Sequence, residues 1–250
     1  QNIIYMSDHS AVTPYGDGET GKKGQVTTMF DRIAPYYDLL NRVLSAGIDT
    51  IWRKKAIRML AANSPNEILD IATGTADLAI EAARTLKPAK IIGLDISANM
   101  LKIGEDKIRK KNLSQTISLE VGDSEQLRFS DASFDAVMAA FGVRNFENRQ
   151  KGLSEMYRVL RPGGSIMVLE FSKPRIFPVK QLCNTYFKYI LPVIGKIKSK
   201  DDKAYTYLYE SVQAFPDYED FNAILSKTGF KDPIYKVLSF GICCIYFAKK

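Results

Sequence analysis

The feature of this sequence that most limits its fold is a regular alternation of short apolar strands with amphipathic helices in its central part. Five apolar runs have the length of buried strands, and helical spacing separates most of them. Strands that alternate with helices in this way form a parallel sheet with helices on both faces. The predicted strands span residues 67–72, 90–95, 117–121, 134–141 and 165–170.

The alternation ends after Phe171, where an irregular, aromatic-rich insertion over residues 172–215 begins. A helix over residues 218–227 follows, and two strands at 233–238 and 242–248 are spaced as a hairpin. We therefore predict an α/β protein whose Rossmann-like, mostly parallel seven-stranded sheet ends in an antiparallel C-terminal hairpin. This is the layout of class I methyltransferases, which use S-adenosylmethionine, although a fold alone does not fix a function.

A chain of 250 residues is long enough for one domain with insertions. We expect a flexible N-terminal segment over residues 1–24 and a single domain over 25–250, which begins with a helical cap over 25–62. In this cap one helix should start near Thr27, with Pro35 kinking or dividing it. A second helix should have Asp49 as its N-cap.

Composition and charge exclude few classes of protein. The net charge of +7 would suit nucleic acid or an anionic membrane surface, but the basic residues are spread along the chain, so we expect no nucleic-acid partner. The three cysteines lack metal-ligand spacing, which predicts no metal site and a reducing, cytoplasmic setting. No apolar run approaches the roughly 18 residues of a membrane span.

The loops after the strands should carry the chemistry, because ligands of an open α/β sheet bind beyond the carboxyl ends of its strands. The first loop carries Gly74 but has Ala76 where a dinucleotide-binding motif needs its second glycine. A methyl group there disfavours a pyrophosphate and is compatible with S-adenosylmethionine, which has no phosphate. Asp70 is then placed to bind the ammonium of that cofactor, and Asp95 to accept its ribose hydroxyls. The alternative is that Gly74 only permits a tight turn and both aspartates cap helices.

Two further loops point into the same crevice. Asp123, after the third strand, is placed for the exocyclic amine of adenine. The fourth strand ends in the motif FGVRN, whose Arg144 should lie next to the sulfonium methyl group. A cation at that place needs a substrate oxygen or a carboxylate beside it. The alternative for Arg144 is a surface salt bridge to Glu147 or Glu170.

Five motifs occur in order: FDRIAPYYDLLN at 30–41, GIDTIWR at 47–53, GTAD at 74–77, FGVRN at 141–145 and LEFSKP at 169–174. Together they resemble the ubiquinone/menaquinone biosynthesis C-methyltransferase family, from about Val26 to the C-terminus. The resemblance implies methyl transfer from S-adenosylmethionine to a ring carbon of a polyprenylated quinol. We expect demethylmenaquinol, with a methoxybenzoquinol as a further substrate.

The cofactor contacts expected from the strand ends and from this resemblance form one set. They are Asp70, Ala72, Thr73, Gly74, Thr75, Asp95, Ile96, Asp123, Ser124 and Ala140. Two positions depart from the family pattern: Ala76 replaces a glycine, which should narrow the loop, and Ala140 stands where many members have serine.

The methyl group on a sulfonium is already electrophilic, so the protein has mainly to position the reactants and activate the ring carbon. Activation requires the quinol rather than the quinone. His9 is the only histidine and lies in the N-terminal segment, so the commonest general base is not expected at the site. The hypothesis is that Arg144 and Asn145 hold the quinol oxygen and stabilise developing phenolate charge.

Residues 186–198 interleave aromatic and aliphatic side chains with lysines. This segment is expected to line a prenyl channel and to contact the inner face of a membrane, or equally to pack on the core as a helical insert. A homodimer is a further expectation. Three other functions stay open: a methyltransferase acting on another small molecule or on RNA, a nicotinamide-dependent oxidoreductase, which Ala76 disfavours, and a non-catalytic binding protein.

Overall fold

The computed structural model describes residues 12–16, 20–45, 47–186, 189 and 202–250. Its strands are β1 Glu67–Ile71, β2 Lys90–Asp95, β3 Ile117–Val121, β4 Phe134–Ala140, β5 Leu160–Phe171, β6 Lys231–Leu238 and β7 Cys243–Lys249. The helices are α1 Lys22–Leu44, α2 Ile48–Ala61, α3 Asp77–Leu86, α4 Ala98–Lys110, α5 Arg149–Val159, α6 Val179–Thr185, α7 Asp202–Ala214 and α8 Glu219–Thr228.

The strands form one seven-stranded sheet in the order β3-β2-β1-β4-β5-β7-β6. The pairs among β1 to β5 are parallel, whereas β7 lies antiparallel between β5 and β6. This confirms the predicted fold class. The chain order reverses between β1 and β4, and a crevice for a ligand opens at the carboxyl ends of strands on either side of such a reversal.

Both faces of the sheet are buried, as the continuous apolar strands predict. Successive residues of β1 alternate between two hydrophobic clusters: Ile68 belongs to one, and Leu69 and Ile71 belong to the other. All three side chains are fully buried. Helices α2 and α3 cover one face and α5 and α8 the other, so the central strands are held rigidly and their loops are fixed in position.

The N-terminal cap differs from the prediction in three ways. Helix α1 begins at Lys22 rather than near Thr27, so the last residues of the segment predicted to be flexible form its first turn. It runs through Pro35 without dividing, and that proline is on the exposed side. Helix α2 is capped by Gly47, whose φ of 77° is a conformation that glycine adopts easily. Asp49 is therefore not the N-cap; it lies in the first turn and accepts hydrogen bonds from Ser45 and Arg53.

The predicted irregular insertion contains two helices in its described part, α6 and α7. Of the segment expected to meet lipid, Tyr186 is half-buried and Tyr189 is exposed. The remaining residues on which that expectation rested lie outside the described residues: Phe187, Lys188, Ile190, Leu191, Val193, Ile194, Lys196 and Lys198.

Tyr246 tests how much one internal hydrogen bond contributes to this fold. Its side chain is fully buried in β7, and its hydroxyl accepts a hydrogen bond from the backbone N–H of Tyr218 at 2.8 Å. Tyr246→Phe leaves that N–H without a partner and should lower the free energy of unfolding by about 1–3 kcal/mol in urea denaturation. Tyr36→Phe, at an exposed position of α1, is the control. Equal stability of the two variants would contradict the expectation.

Candidate active site

Two adjoining cavities lie at the carboxyl ends of the strands. The first, of about 60 Å³, is lined by the loops after β1, β2, β3 and β4 and by α1. The second, of about 400 Å³, lies between α1, α2, α6, α7 and the turn after β4. The cavities share four lining residues, Phe30, Tyr37, Phe141 and Asn145. A ligand in one cavity is therefore in position to meet a ligand in the other.

Left-handed backbone conformations shape the loop after β1. Ala72, Gly74 and Ala76 have φ angles of 53°, 55° and 64°, and each alanine in this region costs roughly 1–2 kcal/mol. The methyl group of Ala76 is fully buried, close to Gly104 of α4, and does not line the first cavity. The Ala76 side chain therefore faces the core and takes no space from the first cavity. The loop also lies against Gly142, where a Cβ atom would come within 2.5 Å of the Ala72 side chain.

Asp95, at the end of β2, is a nearly buried carboxylate on the wall of the first cavity. Its oxygens accept hydrogen bonds from the backbone N–H of Gly74 at 2.8 Å and from that of Ser97 at 2.9 Å. Burial raises the pKa of this carboxyl above its usual value. A carboxylate can accept about four hydrogen bonds, so Asp95 retains capacity for the hydroxyl groups of a ribose.

Asp70, at the end of β1, stands one layer behind the cavity wall. Its side chain is buried, and Oδ2 accepts a hydrogen bond from the Thr73 hydroxyl at 2.6 Å. Among the described residues, Oδ1 has no hydrogen-bond partner. Burial raises the pKa of Asp70 to about 7. A buried carboxylate oxygen without a partner suits a cationic ligand group, whose charge would stabilise the ionised form.

Helix α1 reaches over the first cavity and contacts the loop after β3. The Lys23 ammonium lies 2.7 Å from Asp123 and 3.2 Å from Glu125. Asp123 is the carboxylate expected at the adenine, so this group is already engaged in an ion pair that is about one-third exposed. Asp123 and Lys23 therefore join the first turn of α1 to the cofactor side of the crevice.

The structure brings together most of the residues expected to contact the cofactor, but not all of them. Seven line the first cavity: Ala72, Gly74, Asp95, Ile96, Asp123, Ser124 and Ala140. Asp70 and Thr73 lie behind its wall. Thr75 is buried as well, and its hydroxyl donates to Asp38 of α1 at 2.6 Å and accepts from Lys107 of α4 at 3.0 Å. Thr75 therefore connects the loop to the neighbouring helices.

The second cavity is mainly apolar and aromatic. The rings of Phe141 and Phe171 lie 4.6 Å apart, and the Trp52 ring meets Phe171 edge-on at 6.2 Å. The Arg53 guanidinium lies 5.8 Å from the Phe141 ring and is paired with Asp49. Such a wall suits a flat aromatic ligand with an apolar tail. The few polar groups of the wall would orient that ligand.

Arg144 is the charged residue that the FGVRN motif brings to this cavity, and its side chain is only 7% exposed. Nη1 lies 2.7 Å from Oε1 of the fully buried Glu170 and also donates to the Phe141 carbonyl. The guanidinium carbon lies 5.5 Å from the Phe171 ring. The ion pair with Glu170 therefore exists, but it is a buried pair and not the surface salt bridge considered from the sequence. Within the described chain, the buried Nε has no hydrogen-bond partner.

Asn145 lies where the two cavities meet. Its Nδ2 donates to the Phe141 carbonyl at 3.3 Å, and its Oδ1 accepts from the Tyr207 hydroxyl at 3.1 Å. Tyr207 belongs to α7, and burial raises the pKa of its phenol. The Asn145 side chain is thus bound on one side by the Phe141 carbonyl and on the other by Tyr207 of the insertion, and the two hydrogen bonds fix its orientation.

Sequence reasoning missed the residues that the N-terminal cap and the insertion add to the site. Lys23, Trp52, Arg53 and Tyr207 line the cavities. Trp52 and Arg53 lie inside the quoted GIDTIWR motif, so a signal existed, but the motif alone gave neither residue a role at the site. Lys23 and Tyr207 carry no motif, because their partners are more than 60 residues away in the chain.

Comparison with known proteins decides the family. A model described as the ubiE/COQ5 methyltransferase family matches residues 19–250. The chain belongs to this family. It is 48% identical over 240 residues to the demethylmenaquinone methyltransferase of Bacteroides fragilis, covering 96% of this chain and 97% of that one. It is 44% identical to the ubiquinone/menaquinone biosynthesis C-methyltransferase UbiE of Geotalea daltonii, covering 92% of this chain and 98% of that one.

Solved structures confirm the fold. A SAM-dependent methyltransferase from Thermotoga maritima superposes with a TM-score of 0.60 at 18% identity, covering 89% of this chain and 99% of that chain. The methyl donor of this protein is S-adenosylmethionine. The first cavity fits that group: Asp95 on its wall offers acceptors for the ribose hydroxyls, and the buried Asp70 carboxylate behind the wall adds a negative charge that suits the ammonium.

The raised pKa of Asp70 predicts a pH-dependent term in the free energy of unfolding. The pKa of this carboxyl is about 7 in the folded protein and roughly 4 in the unfolded chain. As the pH rises through that interval the folded protein loses stability, because the carboxyl ionises in the unfolded chain while it stays protonated in the folded one. Asp70→Asn cannot ionise. The free energy of unfolding of the native protein, relative to this variant, should therefore fall by about 1–3 kcal/mol between about pH 5 and pH 8 in the absence of cofactor.

Urea denaturation at several pH values measures this difference. The control is Asp106→Asn, which removes an exposed carboxylate on α4. Parallel pH profiles of the native protein and Asp70→Asn would show that Asp70 is not a titrating buried group.

Proposed function

We propose that this protein transfers a methyl group from S-adenosylmethionine to a ring carbon of demethylmenaquinol, with menaquinol, S-adenosylhomocysteine and the proton lost from that carbon as products. One observation carries the proposal: Arg144, buried and with an unpartnered Nε, lies on the wall of an apolar, aromatic-lined cavity that adjoins the cofactor cavity. A quinol head group needs a flat apolar wall and a donor for its oxygen. The names of the relatives at 48% and 45% identity, both demethylmenaquinone methyltransferases, support the naphthoquinol over a benzoquinol.

S-adenosylmethionine supplies an electrophilic methyl group on its sulfonium sulfur. The residues of this chain supply binding and activation: Asp95 holds hydroxyl groups, and the rings of Phe141 and Phe171 support the quinol. Arg144 and Asn145 bind the ring oxygen and stabilise the negative charge that grows on it while the neighbouring carbon becomes nucleophilic. The apolar wall excludes water, which strengthens these interactions.

The direct test is methyl transfer from labelled S-adenosylmethionine to chemically reduced demethylmenaquinone under anaerobic conditions. A methoxybenzoquinol and the oxidised quinone are assayed in parallel. We expect product from the reduced naphthoquinol and none from the quinone, because only the quinol oxygen can donate electron density to the ring. Protein that binds the cofactor but methylates neither quinol would overturn the proposal and favour a different small molecule or RNA as substrate.

Arg144→Lys tests the part assigned to the guanidinium. Lysine keeps the charge but loses the planar group that bonds Glu170 and a ligand oxygen together. Turnover should fall by about 100-fold, as for the loss of a donor at a developing oxyanion, while the affinity for S-adenosylmethionine changes little.

Turnover and calorimetric cofactor binding are measured on the same preparation. The matched control is Arg58→Lys at an exposed position of α2, which should behave as the native protein. Native turnover in Arg144→Lys would remove Arg144 from the mechanism.

The lipid substrate suggests that the protein contacts a membrane surface. We propose that α6 and the residues just before it make this contact. None of the helices in the described part of the chain has the length and apolar character of a membrane crossing. Ile176, Phe177 and Leu182 are 58%, 78% and 65% exposed, and Arg175 and Lys180 lie among them. Leu182 also lines the second cavity, so this face would open the cavity toward lipid.

The expected homodimer stays a prediction.

Sedimentation with anionic lipid vesicles at low salt tests this contact. Replacing Phe177 and Leu182 together with serine should reduce the bound fraction several-fold, because burial of an aromatic or aliphatic side chain contributes about 1.5–3 kcal/mol each. Ile234→Ser, at an exposed position of the edge strand β6, is the control. Equal binding of all three proteins, or no binding of the native protein, would contradict the proposal.

A further inference from the structure

Lys22, the first residue of α1, is a buried lysine with an unusual set of partners. It is only 5% exposed, and its ammonium donates to the carbonyl oxygen of Arg144 at 3.3 Å and to that of Phe146 at 3.1 Å. Lysine is almost never fully buried unless its charge is compensated. In the described part of the chain no carboxylate lies within ion-pair distance of this ammonium. The two carbonyl groups are therefore what compensates its loss of water.

These carbonyl groups belong to the turn that carries Arg144 and to Phe146, the residue that follows the turn. Residues Val143–Asn145 form a single 3-10 turn, closed by bonds from Asn145 N–H to the Gly142 carbonyl and from Phe146 N–H to the Val143 carbonyl. The last carbonyl groups of a short helix have no donor within it. A cation at this end supplies donors and also interacts favourably with the aligned peptide dipoles.

The opposite side of the turn is bound by a carboxylate. Glu170 accepts from the backbone N–H of Arg144 at 3.3 Å and from its guanidinium at 2.7 Å. Just beyond the turn, Glu125 accepts from the backbone N–H groups of Glu147 and Asn148. The segment is therefore held between negative groups that bind its N–H groups and one positive group that binds its carbonyls.

We propose that Lys22 is a positioning residue of the methyl transfer: its ammonium fixes the turn that directs Arg144 and Asn145 into the cavities. The proposal rests on the proposed function, in which those two side chains bind the ring oxygen. Displacement of a binding group by about 1 Å can lower a rate about 100-fold, so the backbone of this turn has to be held firmly.

The position of Lys22 also makes the turn sensitive to pH. Burial, together with the positive charges of Arg149 and Arg144, lowers the pKa of Lys22 to about 8, against the opposing effect of Glu125 and Glu147. Above that pH the neutral amine is a weaker donor to the carbonyls, so turnover should decline. The free energy of unfolding changes in the opposite direction, because a lysine with a lowered pKa contributes more stability as the pH rises from about 8 to about 10. A loss of turnover in this interval is therefore not a loss of folded protein.

Three variants test the proposal: Lys22→Met, which removes the donor, Lys22→Arg, which keeps donors that do not titrate, and the control Lys54→Met at an exposed position of α2. For Lys22→Met we expect a decrease in kcat of about 10- to 100-fold, with the affinity for S-adenosylmethionine within a few-fold of native. The decline of turnover near pH 8 should be absent. Lys22→Arg should recover part of kcat and also lack that decline.

Hydrogen–deuterium exchange of segment 142–148, measured without any substrate, gives a second readout. Exchange there should be faster in Lys22→Met than in the native protein or the control, with the central strands unchanged. Native kcat together with native exchange in Lys22→Met would overturn the proposal. If the native protein methylates no quinol, the proposed function fails, and the exchange result alone decides whether Lys22 holds the turn.

Discussion

The buried ion pair between Arg144 and Glu170 is the interaction on which the arrangement of the site depends. Glu170 is the penultimate residue of β5, and its two carboxylate oxygens accept from the Arg144 guanidinium, from the Arg144 backbone and from the backbone of Phe171. Breaking a buried pair by removing one partner is strongly destabilising, because it leaves an uncompensated charge. The pair therefore fixes the turn after β4 against the end of β5, at the boundary of the two cavities.

The rest of the site follows from that fixed turn and from the reversal of strand order beside it. Strands β1 and β2 bring Asp70 and Asp95 to one side of the crevice, and the turn after β4 closes the other. Helices α1 and α2 and the insertion then cover the turn and enclose an apolar cavity around it. A cofactor cavity with the carboxylates of Asp95 and Asp123 on its wall and an apolar substrate cavity meet at Phe141 and Asn145 as a result. This separation suits the charged cofactor and the lipid quinol of the proposed function.

The strands and the acidic residues at their ends were predictable because both depend on local signals. Buried parallel strands are continuous apolar runs, and a carboxylate after such a run lies at the ligand edge of the sheet. The direction of individual loop side chains was not predictable, since it follows from left-handed backbone angles such as that of Ala76. Lys22 was assigned to a flexible segment, because a basic pair before a glycine carries no sign of carbonyl partners 122 and 124 residues away.

The measurement that tests the account most directly is a crystal structure with S-adenosylhomocysteine and a reduced, short-chain demethylmenaquinol. The account predicts the homocysteine sulfur in the first cavity and the quinol ring in the second, with the unsubstituted ring carbon facing the sulfur past Phe141. A ring oxygen should lie within hydrogen-bond distance of Arg144 or Asn145. A quinol bound outside the second cavity, or with its oxygens away from both side chains, would contradict it.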